Sequence, residues 1–368
     1  MKRDRLMIPG PVDIADDVRQ TMAGPAVPHY GDEWIEIYQE TLDLLRRVFE
    51  TQGDLHLLTG PGTAGLGAAL GSLLRTGEKV LIPSNGFFGE RMATVGTCYG
   101  LEVVSLMFPV GEPLDPQLIA EHLYQTPDVG AVAVVHHETS TGVLNPVREI
   151  ASLARENDIP IIVDAVASLG GVRLPVDDWE LDVVVTVANK CLAAPPGLAP
   201  ISVSARAWEI MASKPDRAHG WYLNLETWKE YAERWADWHP FPTTLPTQNV
   251  MALRTSLRRI LDKGLEQYHQ EHVEAAARVR RGLREMGLEL FVEGEHACPL
   301  ITVVKGDESF EVGELITYLQ AEHGIKISGG IGALSGKIFR VGHMGEAKSE
   351  AYARAFLAAV EDFLRRAD

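Results

Sequence analysis

The chain has 368 residues, which exceeds a single core of the usual size and predicts a large domain with a smaller one. Its residues are 46% hydrophobic and 23% charged, which is typical of a globular protein. A formal charge of −17 argues against nucleic acid and anionic membranes as partners. No apolar run reaches the roughly 20 residues that cross a membrane, and the chain begins without a signal-peptide pattern. Its three cysteines lie far apart without zinc-site spacing, so we expect a protein of a reducing compartment, by default the cytoplasm.

An extended arm is predicted for residues 1–15, because residues 7–12 place prolines on either side of a glycine and show no helical period. Residues 32–50 predict an amphipathic helix, since their apolar positions recur three and four apart. Short apolar strands then alternate with helical stretches, which is typical of an α/β fold with a mostly parallel sheet. Strands are expected at residues 55–58, 79–83, 102–107, 131–136, 159–164, 181–187 and 200–203, and helices at 64–75, 116–124 and 147–156.

The pattern changes beyond Pro215, where residues 221–238 hold four of the seven tryptophans in a polar setting. A long helical region, 247–286, is interrupted near Gly264. Mixed strands and helices follow at residues 299–304, 311–322, 325–328, 337–341 and 348–366. The chain therefore divides, on this prediction, into the arm (1–15), a large domain (16–266) and a smaller α+β domain (267–368).

Lys190 follows the buried β-branched run 181–187, and open α/β sheets carry their chemistry at the carboxyl ends of strands. A partly desolvated lysine can form a Schiff base with a carbonyl compound. A lysine after a strand is more often a solvated loop residue, so this hypothesis depends on its neighbours. Asp164 ends another predicted strand 26 residues earlier. It could cap a helix or form a salt bridge, or it could keep a pyridinium nitrogen protonated while Lys190 holds a cofactor aldehyde.

Two glycine-containing segments follow other strands. Residues 59–65 join a strand to a helix, where free backbone N–H groups bind anions, although the segment matches neither a Walker loop nor GxGxxG. Residues 85–91 place Phe88 in a predicted loop, either folded into the core or stacked on a planar ring. Residues 136–142 bring His136, His137 and Glu138 in a row, but adjacent side chains on a strand point to opposite faces, which argues against a metal site.

Arg340 is the one arginine inside an apolar strand pattern of the smaller domain. A buried guanidinium needs an anion, which is either a structural carboxylate or the carboxylate of a substrate.

Together these segments resemble the class V aminotransferases, in particular the alanine–glyoxylate and serine–pyruvate branch. The resemblance covers nearly the whole chain in order and is carried by GPGT (60–63), NGFFGER (85–91), HHETSTG (136–142), VDAVASLGG (163–171), NKCLAAPPG (189–197) and RVGHMG (340–345). It implies pyridoxal 5′-phosphate (PLP) on the fold-type-I scaffold, with a seven-stranded sheet and a small α+β domain. It also implies a homodimer whose sites are completed by the partner subunit.

The resemblance assigns roles residue by residue. Lys190 is the Schiff-base lysine and Asp164 the partner of the pyridine nitrogen. Arg340 takes the α-carboxylate of the substrate, and Gly10 and Tyr30 border the substrate. The remaining cofactor-binding residues are Gly62 and Thr63 at the phosphate, Phe88 on the ring face, Thr139 at the phenolic oxygen, Val166, Asn189, Phe241, and Thr244 reaching from the other subunit.

The phosphate end departs from the family pattern. Pro61 stands where relatives often have serine, Asn189 where glutamine is common, and Phe241 where tyrosine is common. Asn189 and the segment around Phe241 are also similar to pyridoxamine–pyruvate aminotransferase, which uses unphosphorylated vitamin B6. That branch has an acidic residue in the cup and an arginine where this chain has Ile331, so bound phosphate remains the preferred interpretation.

A ping-pong transaminase acting on alanine or serine with glyoxylate or pyruvate is therefore the leading hypothesis, because no second arginine is evident for a dicarboxylate. A cysteine desulfurase is disfavoured, since Cys298 lies in an apolar strand pattern and Cys191 cannot reach across the site. A non-catalytic PLP-binding protein and a dinucleotide-binding protein are further alternatives. The physiological substrate pair cannot be read from the sequence.

Overall fold

The computed structural model describes residues 4–214, 216, 218–307 and 309–367, so residues 1–3 of the predicted arm and Pro215 lie outside the described part. The strands are β1 (Arg5–Leu6), β2 (Asp54–Thr59), β3 (Lys79–Ser84), β4 (Glu102–Met107), β5 (Val129–Val135), β6 (His137–Glu138), β7 (Val143–Leu144), β8 (Ile161–Asp164), β9 (Val183–Val185), β10 (Leu198–Val203), β11 (Ile301–Lys305), β12 (Ile325–Lys326), β13 (Ser328–Gly329) and β14 (Ile338–Gly342).

The α-helices are α1 (Asp16–Met22), α2 (Asp32–Phe49), α3 (Gly62–Leu73), α4 (Phe87–Cys98), α5 (Pro116–Gln125), α6 (Val147–Glu156), α7 (Ala205–Ser213), α8 (Leu225–Arg234), α9 (Thr247–Lys263), α10 (Leu265–Glu285), α11 (Val312–His323) and α12 (Glu350–Ala367). Short 3₁₀ helices cover Gly332–Leu334 and Gly345–Lys348. In the described residues, no helix combines the length and the apolar character that crossing a bilayer requires.

A seven-stranded sheet confirms the predicted α/β fold. Its order is β2-β10-β9-β8-β5-β3-β4, and β10 is the strand that runs antiparallel to its neighbours. Each predicted strand before residue 204 is confirmed to within two residues at either end. Helices cover both faces of the sheet, and its inner strands are correspondingly apolar. Strand β8 is apolar up to its final Asp164, and β9 is fully buried. The carboxyl ends of the parallel strands meet at one edge of this sheet, and the cavity described below lies at that edge.

Helix α2 shows how the apolar stripe places a helix. Its side chains Trp34, Tyr38, Leu45 and Phe49 are at most 2% exposed and face the large core, while its opposite face carries charged residues. The helix packs on α9.

One local prediction, the loop around Phe88, was wrong, and the structure adds two details that the sequence did not predict. Strand β9 ends at Val185 rather than at residue 187, because β8 itself ends at Asp164 and leaves no neighbour on that side beyond it. Lys190 therefore lies in a loop after the strand. Phe88 is not in a loop, since α4 begins at Phe87. Residues 221–238 contain a helix, α8, whose N-terminus is capped by the Asn224 side chain.

A second, smaller core surrounds the sheet of order β11-β14-β13, on which α10, α11 and α12 pack. The predicted break at Gly264 is confirmed, because α9 ends at Lys263 and α10 begins at Leu265. The predicted strand 325–328 is divided into β12 and β13. A domain boundary between residues 266 and 267 stays a prediction.

The N-terminal arm is fastened to this smaller part. Strand β1 pairs in parallel with β12, the Met7 N–H donates to the carbonyl of Lys326, and the Gly342 N–H donates to the carbonyl of Met7. The backbone passes so close that a Cβ at residue 342 would overlap the carbonyl group of Ile8. The position of the arm therefore depends on the glycine at residue 342.

Replacing Gly342 by alanine should push the arm off β14 and lower the free energy of unfolding by about 1–3 kcal/mol, the usual cost of overpacking. Denaturant unfolding and the rate of proteolysis in the arm would measure this. The matched control is Gly313→Ala in α11, where a Cβ meets no atom within 4 Å. Equal stability and equal arm protection in the two variants would contradict the prediction.

Candidate active site

A cavity of about 300 Å³ opens at the edge of the sheet where β8 ends and where α3 and α4 begin. Its size is suited to a small-molecule cofactor. Pro61 and Arg91 also lie in its wall. The sequence-predicted site residues that line it are Gly62, Thr63, Phe88, Asp164, Val166, Asn189 and Lys190.

Lys190 is held beneath the N-terminal arm. Its ammonium donates a hydrogen bond to the carbonyl of Pro9, and a Cβ at Gly10 would come within 2.6 Å of the lysine methylenes. The Val12 N–H donates to the Asn189 carbonyl 3.2 Å away, which ties the arm to the loop that carries the lysine. Burial lowers the pKa of Lys190 to about 8. The amine is therefore partly neutral near pH 8, as bond formation with an aldehyde requires.

Asp164 ends β8 and is only 6% exposed. Burial raises the pKa of its carboxyl group to about 6, while the backbone N–H of Val166, which donates to Oδ1 at 2.9 Å, opposes this shift. No donor among the described residues reaches Oδ2. The carboxylate is thus under-satisfied by the protein, and a ring N–H placed against it would supply the missing donor.

The start of α3 can hold an anion. The backbone N–H groups of Gly62 and Thr63 are in the first turn, where they have no partner within the helix. The glycine at residue 62 is required by packing, because a Cβ there would lie 2.5 Å from Val166. A phosphate would gain both the free N–H groups and the helix dipole at this position.

Phe88 lies in the first turn of α4, on the cavity wall, so its ring can cover one face of a planar cofactor. Arg91 was missed by the sequence prediction. Its guanidinium lies 4.9 Å from the centre of the Phe88 ring, lines the same cavity, and is one of the charges that lower the pKa of Asp164. On a helix, residues 88 and 91 lie on the same face, so a predicted helix would have brought Arg91 to the cavity beside Phe88. The sequence pattern indicated a loop here instead.

Arg340 lies in β14 and is 6% exposed. Its Nε donates to the carbonyl of Gly329 at 2.9 Å and its Nη1 to the carbonyl of Thr139 at 3.1 Å. No carboxylate within the described residues forms an ion pair with it, and Nη2 is left without a hydrogen bond to them. The positive charge of Arg340 helps, after burial, to lower the pKa of the Lys190 amine. Arg340 thus offers an incoming carboxylate a guanidinium with one Nη group still available.

Six of the predicted site residues do not line this cavity: Gly10, Tyr30, Thr139, Phe241, Thr244 and Arg340. Phe241 is fully buried against Tyr38, with ring centres 5.1 Å apart, so its side chain belongs to the large core. Thr244 and Tyr30 are exposed elsewhere, and the Thr244 hydroxyl lies 3.4 Å from Nε2 of His29. Thr139 is buried in the loop between β6 and β7, and its carbonyl is the acceptor described above.

The adjacent histidines have separate partners. Nδ1 of His136 lies 3.0 Å from the Ser168 hydroxyl, and Nδ1 of His137 lies 3.1 Å from the Ala167 carbonyl. Burial lowers the pKa of each ring to about 3, so both are neutral at physiological pH. Within the described ranges, no three metal-binding side chains converge on a common point.

Comparison with known proteins decides the family. The model of the family described as aminotransferase class-V matches residues 18–345. The chain belongs to this family. It is a transaminase with the PLP-dependent aminotransferase fold, and PLP is its cofactor.

Three solved structures are similar over nearly their full length. Ureidoglycine–glyoxylate aminotransferase from Bacillus subtilis is 31% identical, with a TM-score of 0.95 over 100% of this chain and 94% of that one. Alanine–glyoxylate aminotransferase from Nostoc sp. is 30% identical, with a TM-score of 0.95 over 99% and 96%. Pyridoxamine–pyruvate aminotransferase from Mesorhizobium loti is 29% identical, with a TM-score of 0.93 over 100% and 93%. These names differ in their substrates, so the substrates of this chain need a separate argument.

The residues of the cavity fit PLP. Lys190 would hold its aldehyde, Asp164 its ring nitrogen, and the start of α3 its phosphate, with Phe88 against the ring. When bound, PLP supplies an aldehyde for covalent capture of amines and a ring that accepts electron density from the substrate. The chain would supply the partly neutral amine of Lys190 and the buried carboxylate of Asp164 that keeps the ring nitrogen protonated.

The rate at which the apoprotein takes up PLP should rise with pH, reach half of its maximum near pH 8 and level off about one pH unit higher, because half of Lys190 is neutral at its pKa of about 8. Asp164 is already mostly ionised above its pKa of about 6. Stopped-flow absorbance at the visible band of the bound cofactor measures this rate. Lys190→Ala corrects for reaction at surface lysines. A rise that continues unabated to pH 10 would show an ordinary lysine and contradict the prediction.

Proposed function

We propose that this transaminase moves an amino group from a small neutral L-amino acid, alanine or serine, to glyoxylate or pyruvate by a ping-pong mechanism. The observation that carries the proposal is the buried guanidinium of Arg340, which forms no ion pair within the described residues and keeps Nη2 free of hydrogen bonds to them. A 2-amino acid whose carboxylate binds Arg340 would present its α-carbon to the lysine. Two of the similar structures are named for glyoxylate as acceptor, which supports that choice.

Three side chains would have separate roles in this reaction. Arg340 would orient the carboxylate of the donor and then that of the acceptor, so both half-reactions use one subsite. Once released, the Lys190 amine can move a proton, because its lowered pKa of about 8 lets it act as base and acid near neutral pH. Asp164 would remain the anion that stabilises positive charge on the ring nitrogen.

Pyridoxamine–pyruvate transamination is the second candidate. It is favoured by the similarity to the Mesorhizobium structure and by Pro61, which removes one N–H from the phosphate cup. The cavity wall supports bound phosphate instead, because the acidic side chain that lines it is Asp164, which we assign to the ring nitrogen and not to the phosphate. A desulfurase is not supported by the cysteines near the lysine. Cys191 and Cys298 are at most 1% exposed, and burial raises the pKa of both thiols.

L-Alanine should convert the visible band of the purified holoenzyme to the near-ultraviolet band of the amino form of the cofactor, and glyoxylate should restore it. Absorbance spectroscopy follows both half-reactions, with L-aspartate and L-glutamate as parallel donors. Arg340→Gln should keep the visible band but lose response to alanine by roughly 100-fold or more, since a charge-assisted carboxylate contact is removed.

Two results would contradict this proposal. Faster conversion by aspartate or glutamate than by alanine would refute the neutral donor and direct attention to Arg91. Activity only with added pyridoxamine and pyruvate, without a visible band, would establish the second candidate.

We also propose that the enzyme is a homodimer in which Thr244 of the partner subunit approaches the phosphate. Thr244 is exposed and does not line its own cavity, while Thr63 and Arg91, which do line it, are exposed as well. Exposed aromatic side chains are clustered near Thr244: Trp238 is 56% exposed and Tyr30 is 51% exposed, with ring centres 6.1 Å apart. A paired surface of this kind is typical of an interface.

Trp238→Glu should weaken the dimer at least tenfold, because buried aromatic anchors contribute most to interface affinity, and it should weaken PLP binding with it. Sedimentation velocity and PLP titration measure the two effects. Tyr124→Glu is the matched control, since Tyr124 is 92% exposed on α5. A fully active wild-type monomer would refute the shared site.

A further inference from the structure

Glu138 is a buried carboxylate that does not line the cavity and has no step in the proposed reaction, although its charge acts on Asp164 and Arg340. It is 0% exposed in β6, and no lysine or arginine of the described residues forms an ion pair with it. A charge in that position is costly unless hydrogen bonds stabilise it. Its surroundings therefore indicate what it does.

The two oxygens of Glu138 accept hydrogen bonds from two separate segments. Oε2 accepts from the backbone N–H groups of Phe88 at 3.0 Å and Gly89 at 3.2 Å, at the start of α4. Oε1 accepts from the backbone N–H and the hydroxyl of Ser140, at 3.1 Å for the N–H, in the loop between β6 and β7. One carboxylate thus joins the helix start to this loop.

Ser140 completes the connection. Its hydroxyl oxygen accepts from the Phe87 N–H at 3.1 Å, so the first three N–H groups of α4 are all satisfied by this loop. The space is tightly filled, because a Cβ at Gly86 would come within 2.6 Å of both the Glu138 side chain and the Ser140 hydroxyl. The helix start cannot shift without breaking these contacts.

The joined segments carry the groups that face the cofactor ring. Phe88 is on the cavity wall, and Thr139, which lies between Glu138 and Ser140, gives its carbonyl to Arg340. Glu138 therefore sets the distance between Phe88, the side chain proposed to stack on the ring, and the loop that carries Thr139. This reasoning rests on the proposed placement of the ring against Phe88 and of the phenolic oxygen near Thr139.

We propose that Glu138 is a positioning residue for the cofactor, which fixes Phe88 against the ring face and Thr139 at the ring edge by joining the start of α4 to the β6–β7 loop. The carboxylate is suited to this because both of its oxygens accept, and four donors converge on it. An amide of the same shape has one accepting oxygen and an NH₂ group that would face donors.

The test compares Glu138→Gln with Asp115→Asn, a matched helix-cap control in which Asp115 accepts from the Gln117 N–H at the start of α5. In the apoprotein, hydrogen exchange at Phe88 and Gly89 should accelerate at least tenfold in Glu138→Gln and stay unchanged in the control. PLP affinity should fall about tenfold, and the visible circular-dichroism band of the bound cofactor should weaken. In the loaded enzyme, kcat should fall by more than KM for alanine rises.

Unchanged exchange, PLP affinity and circular dichroism in a folded Glu138→Gln variant would overturn the inference, even if wild-type transamination proceeds as proposed. A wild type without activity on alanine would instead refute the proposed substrate while leaving the exchange and binding results interpretable. Should Glu138→Gln fail to fold, Ser140→Ala decides the question. It removes the Phe87 contact and one bond to the carboxylate, and it should raise exchange at Phe87 and lower the circular-dichroism signal. No change in either would likewise overturn the inference.

Discussion

The chemistry of this transaminase depends on the burial of two oppositely charged groups in one cavity, the Lys190 amine and the Asp164 carboxylate. Burial penalises the charged form of each, so it lowers the pKa of the lysine to about 8 and raises that of the aspartate to about 6. The lysine becomes a usable nucleophile and base, and the aspartate gains from a protonated ring nitrogen placed against it. Solvent at this edge of the sheet would remove both effects.

The exclusion of solvent requires parts of the chain that are distant in sequence. The arm covers Lys190 with the Pro9 carbonyl and Gly10, and it is held in place by β12 and β14 of the smaller core. Arg340 extends from the same β14 to the Thr139 carbonyl in the β6–β7 loop. The smaller core therefore supplies both the cover of the lysine and the proposed carboxylate receptor, which explains why the site needs more than the central sheet.

The sequence predicted the features that are determined by the residues of one short segment. The alternation of strands and helices, the break at Gly264 and the pairing of Lys190 with Asp164 at one sheet edge follow from apolar runs, turn residues and strand order. It did not predict what distant segments decide. The start of α4 is stabilised by Glu138 and Ser140, about 50 residues further on, so Phe88 and Arg91 could not be placed on a helix from their own segment. Phe241 resembled a cofactor residue in pattern, but its ring is packed into the large core.

The most direct test of this account is the protonation state of the ring nitrogen when ¹⁵N-labelled PLP is bound. Among the described residues only one oxygen of Asp164 has a donor, so we expect the ¹⁵N shift of the wild type to be that of a protonated pyridinium at neutral pH. In Asp164→Asn, with the same fold and the cofactor still bound through Lys190, the shift should move to that of a neutral pyridine. A neutral nitrogen in the wild type, or one that does not respond to the substitution, would contradict the central claim.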